Sequence, residues 1–258
     1  MKVVLLCGGK GTRIRDVSAE IPKPMIPIGG VPIVRHIMDR YAMHGMKEFV
    51  LCLGYKGWKI KEYFLNIRAE VSDLRIDLSS LGGVEVLDRW EPLDWSVILA
   101  ETGLEAMTGA RVSRVRKYLG ESTFMLTYGD GLGNVDVGAL LEFHRSHGHL
   151  ATITSVRPPA RFGELLTEGD RVTSFQEKPQ TAAGVINGGF FVLEPGVFDY
   201  LSDDDSCIFE RDPLQRLAAD GELYCYQHDG FWMPMDTHRE YTLLNQLWAK
   251  GEAPWTTG

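Results

Sequence analysis

The run Val3-Val4-Leu5-Leu6, leading directly into "CGGKGTR", constrains this chain more than any other stretch. Four consecutive apolar residues without polar alternation read as a strand buried on both faces, and such strands belong to parallel sheets covered by helices. Gly8, Gly9 and Gly11 then let the backbone turn tightly and come close to a ligand, because a residue without Cβ has the steric freedom to do so. Ligands of open α/β sheets bind beyond the carboxyl ends of the strands, which is where this turn falls. Its backbone N–H groups have the form of a cradle for anionic oxygens.

The pattern downstream agrees. Helical spacing over about 32–44, a buried run at 49–53 and helical spacing again around 59–67 alternate as parallel strands and crossover helices do. From 73 to 91 the period falls to two, with Leu74, Ile76 and Leu78, a Gly82-Gly83 turn, then Val84, Val86 and Leu87. That predicts a β-ribbon inserted at about 73–91, either an ordinary edge or an arm that pairs with another subunit. Residues 124–127 read as a further buried strand running into "YGDG", and 137–147 as a helix. From 151 the chain turns strand-rich, and the glycines and prolines in "RVTSFQEKP" and "VINGGFFVLEP" suggest a mixed sheet wrapped by loops. A helix over about 238–248 closes the chain, and no repeat, linker or low-complexity tract divides residues 1–258, which read as a single domain.

Composition removes several classes of function. A formal net charge of -8 argues against a nucleic-acid partner, whose footprint is a basic face. No stretch approaches the roughly 18 apolar residues of a membrane span, and the amino terminus lacks a signal-peptide pattern, so the expectation is a cytoplasmic protein with no membrane partner. Cys7, Cys52, Cys207 and Cys225 are scattered and form no CxxC, which fits core or near-core thiols.

Two common phosphate loops fail on inspection. A dinucleotide fingerprint aligned on Gly9 and Gly11 needs Gly or Ala where Ile14 stands, and a P-loop needs Ser or Thr after Gly-Lys where Gly11 stands. What remains is a glycine turn followed by Thr12 and Arg13 and then by Lys23 of "PKPM". A planar guanidinium fork and a point-charge ammonium can neutralise a polyphosphate from two sides, which suits a nucleoside triphosphate. Taken singly, each cation is an ordinary solvated surface residue.

"LLCGGKGTRI…PKPM", "YGDG" around Asp130, "FQEKP" around Lys178, "INGGFF" around Asn187 and "WMPMDT" around Asp236 stand in the order used by the sugar-1-phosphate nucleotidylyltransferases, which this sequence resembles over nearly its whole length. Segments such as "TGLEAMTGARV" and the ending "GFWMPMDTHREY…LWAKGEAPW" are similar to its cytidylyl branch. The resemblance implies an α/β fold of the nucleotide-diphospho-sugar transferase type, a Rossmann-like mixed, mainly parallel sheet flanked by helices with a small β-ribbon. It also implies attack of a sugar 1-phosphate, glucose 1-phosphate in that branch, on the α-phosphorus of CTP, with pyrophosphate leaving. Mg²⁺ is the implied cofactor, held by Asp130 and Asp236. Leu6, Gly8, Gly9, Gly11, Thr12 and Gly129 are the implied nucleotide cradle, Arg13 the contact to the β- and γ-phosphates, and Lys23 the contact to the α-phosphate and the incoming phosphate. Lys178 and Asn187 would hold the sugar 1-phosphate, with Glu177 and Gly188 near its hydroxyls. Arg111 is the implied contact to the cytidine nucleotide, reached from a neighbouring subunit of a homo-oligomer. UTP or dTTP, another sugar phosphate, and a catalytically idle nucleotide-sugar sensor remain alternatives.

Other features carry plain readings. His144, His147 and His149 fall at a helix end, where imidazoles meet the last carbonyls. Asp203, Asp204 and Asp205 read as a solvated turn before a helix. Trp90, Trp95, Trp232, Trp248 and Trp255 read as packing or interface residues, with Trp232 near enough to Asp236 to face the sugar.

Overall fold

The computed structural model describes residues 1–11, 14, 20–79, 83–87, 93–157, 164–168, 171–176 and 184–257, of which 164–168 and 174–176 as backbone alone. Its frame is a seven-stranded sheet built from β1 (Lys2–Leu6), β2 (Glu48–Leu53), β3 (Ser96–Glu101), β4 (Phe124–Tyr128), β5 (Ala151–Val156), β6 (Ile186–Leu193) and β7 (Leu223–His228), in the spatial order β7-β5-β6-β4-β1-β2-β3. Every pairing in it is parallel except the two made by β6, which runs antiparallel to both β5 and β4. The sheet is therefore mixed but mainly parallel.

Alternation along the strands sorts the core into two layers. Val3, Leu5 and Cys7, Phe49 and Leu51, Met125 and Val192 face one side, where α1 (Ile33–Met43), α2 (Gly57–Glu70), α4 (Val137–His147) and α6 (His238–Ala249) contribute buried side chains. Val4, Val50, Cys52, Phe124, Leu126 and Phe191 face the other, against α3 (Thr108–Arg114) and α5 (Asp212–Ala219). Because both faces are covered, the central strands read as continuous apolar runs. The expected helix at 137–147 is α4, capped at its start by the Asp136 carboxylate, which accepts from the Ala139 N–H at 2.9 Å, and ended by left-handed Gly148.

The ribbon is present as Leu74–Asp77 paired antiparallel with Gly83–Val86. Strands β3 and β7 and helix α3 were not legible as periodic runs. Both strands lie at the sheet edges, where one side of the ladder is open and much of each side chain stays in water, so the apolar pattern is diluted. That placement also corrects one thiol: Cys7 and Cys52 are buried and Cys207 is half-buried, but Cys225, on edge strand β7, is exposed. The histidines differ from expectation as well. His144 and His147 both bond the Thr152 hydroxyl, His144 also meets Glu194, and His149 meets Glu222, so carboxylates and a hydroxyl take the rings instead of the last carbonyls of α4. Among the described residues no helix is long and apolar enough to cross a membrane.

Phe124 is buried and stacked on Phe198 at 5.6 Å between centroids, far along β4 from its functional end. Truncating it leaves a cavity that the sheet cannot close, so Phe124→Ala should lower unfolding free energy by about 3–5 kcal/mol in urea titration, and a loss below about 1 kcal/mol would contradict this packing.

Candidate active site

The glycine turn leaves β1 at Leu6 and is held by the two strands beside it. Cys7 N–H donates to the Cys52 carbonyl at 3.1 Å, Tyr55 N–H to Gly8 at 3.2 Å, and Gly129 N–H to Leu6 at 3.1 Å. Gly11 sits at φ +58, in the left-handed region that favours glycine. Among the described residues a Cβ on Gly9 would meet nothing within 4 Å, whereas a Cβ on Gly8 would lie 2.2 Å from the Arg111 guanidinium.

That contact puts the Arg111 guanidinium against the rear of its own glycine turn. Its guanidinium sits behind the turn, 4% exposed, where Nη1 donates to the Leu53 carbonyl, the Thr102 hydroxyl and the Gly103 carbonyl at 2.8 to 2.9 Å, and Nη2 donates to the Gly8 carbonyl at 3.2 Å. Gly54 is needed on its other side, since a Cβ there would come within 2.6 Å of Nη1. A side chain enclosed in this way braces its own glycine turn. Arginine suits the place because one planar group supplies several fixed donors.

Across the turn, two remote carboxylates meet. Asp130 follows β4 and precedes the short strand Gly131–Gly133, which pairs antiparallel with Trp232–Pro234 just before Asp236. Met235 N–H donates to the Asp130 carbonyl at 2.8 Å, locking the two segments side by side. Asp236 is fixed further by the start of α6: Thr237 and Glu240 form a capping box, and Glu240 Oε2 also accepts from Asp236 N–H at 2.8 Å. The box was readable in the sequence as Thr-x-x-Glu, a signal not used above.

Lys23 completes the group. The "IPKPM" segment folds as a single 3-10 turn over Lys23–Met25, with Pro22 and Pro24 restricting the backbone. Its ammonium lies between the carboxylates, 2.6 Å from Asp130 Oδ2 and bonded to Asp236 Oδ1. Burial alone would favour the neutral amine, but the Asp130 and then the Asp236 carboxylate outweigh it and hold the Lys23 pKa above the ordinary lysine value. Both carboxylates are thus within reach of one cation. The fit to a divalent metal follows: two carboxylates around a position already occupied by positive charge match the one or two that Mg²⁺ takes beside phosphate oxygens. Leu6, Cys7, Gly9, Gly11, Ile14, Pro24 and Gly129 complete the walls of a cavity of about 280 Å³ around these three charges.

Asn187 and Gly188 lie on β6, which pairs with β4. Between Ile153 and Ser155 the β5–β6 register slips, so that the Asn-Gly-Gly segment bulges. A Cβ on Gly188 would strike Val156 at 2.5 Å, and one on Gly189, at φ +81, would strike the Tyr128 ring at 2.4 Å. Trp232 donates its Nε1–H to the Gly188 carbonyl at 2.7 Å, so this tryptophan holds the bulge. Thr12, Arg13, Glu177 and Lys178 lie outside the described residues.

A model of the nucleotidyl transferase family matches residues 2–250. The chain belongs to that family. It is 47% identical over 258 residues to the glucose-1-phosphate cytidylyltransferase of Salmonella typhi, covering 100% of this chain and 99% of that one. It is 32% identical to a mannose-1-phosphate guanylyltransferase of Mycobacterium tuberculosis, covering 97% of this chain and 65% of that one. Among solved structures, HddC from Yersinia pseudotuberculosis complexed with GMP-PN shares the fold with a TM-score of 0.68, at 24% identity and over 96% of this chain and 99% of that one. The glycine turn, Lys23 and the two aspartates line one cavity at the carboxyl ends of β1 and β4.

Two alanine substitutions separate bracing from cleft. Gly8→Ala forces Arg111 or the turn to move, as overpacking does, and should cost about 1–3 kcal/mol of stability. Gly9→Ala, which meets nothing within 4 Å among the described residues, should change thermal stability by less than about 0.5 kcal/mol. Equal losses in the two variants would contradict the placement of Arg111.

Proposed function

We propose that the chain joins CTP and α-D-glucose 1-phosphate into CDP-glucose and pyrophosphate, by in-line attack of the sugar phosphate on the α-phosphorus. The observation that carries the chemistry is the convergence of Asp130 and Asp236 on one cation position beside a glycine turn. The choice of nucleotide and sugar rests on the full-length identity to the cytidylyltransferase of Salmonella typhi.

A phosphomonoester has its second pKa near about 6, so the nucleophile is already mostly dianionic at neutral pH and needs no general base. The barrier is repulsion: two unit charges about 4 Å apart cost about 4 kcal/mol at an effective dielectric near 20. Mg²⁺ held by Asp130 and Asp236 would supply charge neutralisation at the phosphates when bound. The chain supplies the rest. Lys23 brings a permanent positive charge to the α-phosphate and the incoming phosphate, Arg13 takes the oxygens that leave as pyrophosphate, and Leu6, Gly8, Gly9, Gly11, Thr12 and Gly129 give close backbone approach. Lys178 and Asn187 hold the sugar 1-phosphate and Glu177 and Gly188 its hydroxyls. Positioning and fixed charge of this kind are the usual currency of phosphoryl transfer.

The same reading includes a cytoplasmic homo-oligomer built from a single domain with its ribbon. Ile76, Leu78 and Val84 on that ribbon are 58%, 93% and 62% exposed, more apolar surface than an isolated edge pair usually offers to water. Leu78→Asp should shift the chain to smaller species in light scattering, and an unchanged mass would contradict the ribbon as the contact.

The reaction itself is tested by crossing CTP, UTP, dTTP, ATP and GTP with glucose 1-phosphate and other sugar 1-phosphates and following pyrophosphate release with Mg²⁺. Release confined to CTP with glucose 1-phosphate is expected. Release with another pair would move the substrate, and none from folded, nucleotide-binding protein would favour a nucleotide-sugar sensor.

A further inference from the structure

Glu210 stands between the exposed 202–206 turn and α5, in a segment without any motif. Its two carboxylate oxygens accept from different hydroxyls: Oε1 from Tyr128 at the end of β4, and Oε2 from Thr108 at the start of α3, each at 2.5 Å. The Thr108 hydroxyl oxygen accepts in turn from Phe209 N–H at 2.9 Å, which holds Glu210's own segment against α3. One side chain therefore ties the helix that carries Arg111 to the strand that leads into Asp130.

The consequence lies at Tyr128. A phenol has one hydrogen, and Tyr128 gives it to Glu210, so its oxygen can only accept from any further partner. That partner is Asn187, whose Nδ2 donates to it at 3.2 Å, while Asn187 Oδ1 accepts from Gly189 N–H at 2.8 Å. The carboxamide is thus fixed at both ends, and its donor end is kept on the Tyr128 side. Without the acceptor at Glu210, the phenol hydrogen is free to point at Asn187, and two donors would then face each other. Gly189 is part of the same arrangement, since any side chain there would meet the Tyr128 ring.

We propose that Glu210 is a positioning residue which, through the Tyr128 hydroxyl, sets the orientation in which the Asn187 carboxamide receives the sugar 1-phosphate. The inference rests on the reading of Asn187 as a sugar-phosphate contact. With a carboxylate at 210 both oxygens accept, whereas an amide has to turn its NH₂ toward one of the two hydroxyl oxygens, and the Thr108 oxygen already accepts from Phe209 N–H.

The test uses the full chain, with initial rates of pyrophosphate release measured for Tyr128→Phe, Glu210→Gln, Asn187→Ala and the double variant Tyr128→Phe/Asn187→Ala. Tyr128→Phe and Glu210→Gln should each raise KM for glucose 1-phosphate about tenfold, the worth of one hydrogen bond to a charged group, with KM for CTP within about twofold. In the Asn187→Ala background, Tyr128→Phe should add nothing, because the group it orients is gone. If Asn187→Ala turns over too slowly, calorimetric titration of glucose 1-phosphate into the same chains gives the same comparison. Equal rises in both KM values, or an undiminished effect of Tyr128→Phe without Asn187, would mean a merely structural role and overturn the proposal. A wild-type chain silent with every substrate pair would overturn the functional reading itself, which sets that failure apart from failure of the positioning role.

Discussion

Two carboxylates aimed at one point repel each other, and the functional end of this molecule is organised around that repulsion. Asp130 and Asp236 are drawn together by a short antiparallel pairing and by the Met235 N–H bond to the Asp130 carbonyl. Each carboxylate retains partial solvent access, and Lys23, largely buried, supplies the compensating charge. A cation is therefore a structural requirement of the site before it is a catalytic one. The same requirement explains why three segments remote in sequence, the 3-10 turn at 23–25, the end of β4 and the start of α6, are each fixed by proline restriction, strand pairing or a capping box.

Close backbone approach is the second constraint. Gly8 and Gly54 make room for the guanidinium of Arg111, Gly188 for Val156, and Gly189 for the ring of Tyr128. These glycines serve packing behind the cleft, while Gly9 opens on the cleft itself. A glycine-rich turn is thus two surfaces at once. The ligand side offers N–H groups, and the rear side is filled by an arginine that joins Tyr55 N–H on the Gly8 carbonyl.

Much of the fold was legible because the central strands are covered on both faces and therefore written as unbroken apolar runs, and because α1, α2, α4 and α6 each bury one stripe. The edge strands β3 and β7 were not, since exposure on the open side dilutes their pattern. In the site, Lys23, Asp130 and Asp236 were marked by family motifs and do come together, although nothing in their spacing says so. Arg111 was visible as a residue but not as a brace, because whether a guanidinium faces ligand or carbonyls depends on tertiary contacts. Tyr128 opens the YGDG motif while Glu210 lies in none, and their link runs through a hydroxyl hydrogen that sequence patterns do not encode.

The central claim is that Asp130 and Asp236 act as one cation site and neither alone suffices. It is tested most directly by titrating Mn²⁺, a paramagnetic substitute for Mg²⁺, into the full chain with CTP and counting bound ions by electron paramagnetic resonance. One tightly bound ion per chain is expected in the wild type, lost to a similar degree in folded Asp130→Asn and in folded Asp236→Asn. Wild-type Mn²⁺ binding in either variant would contradict the shared site.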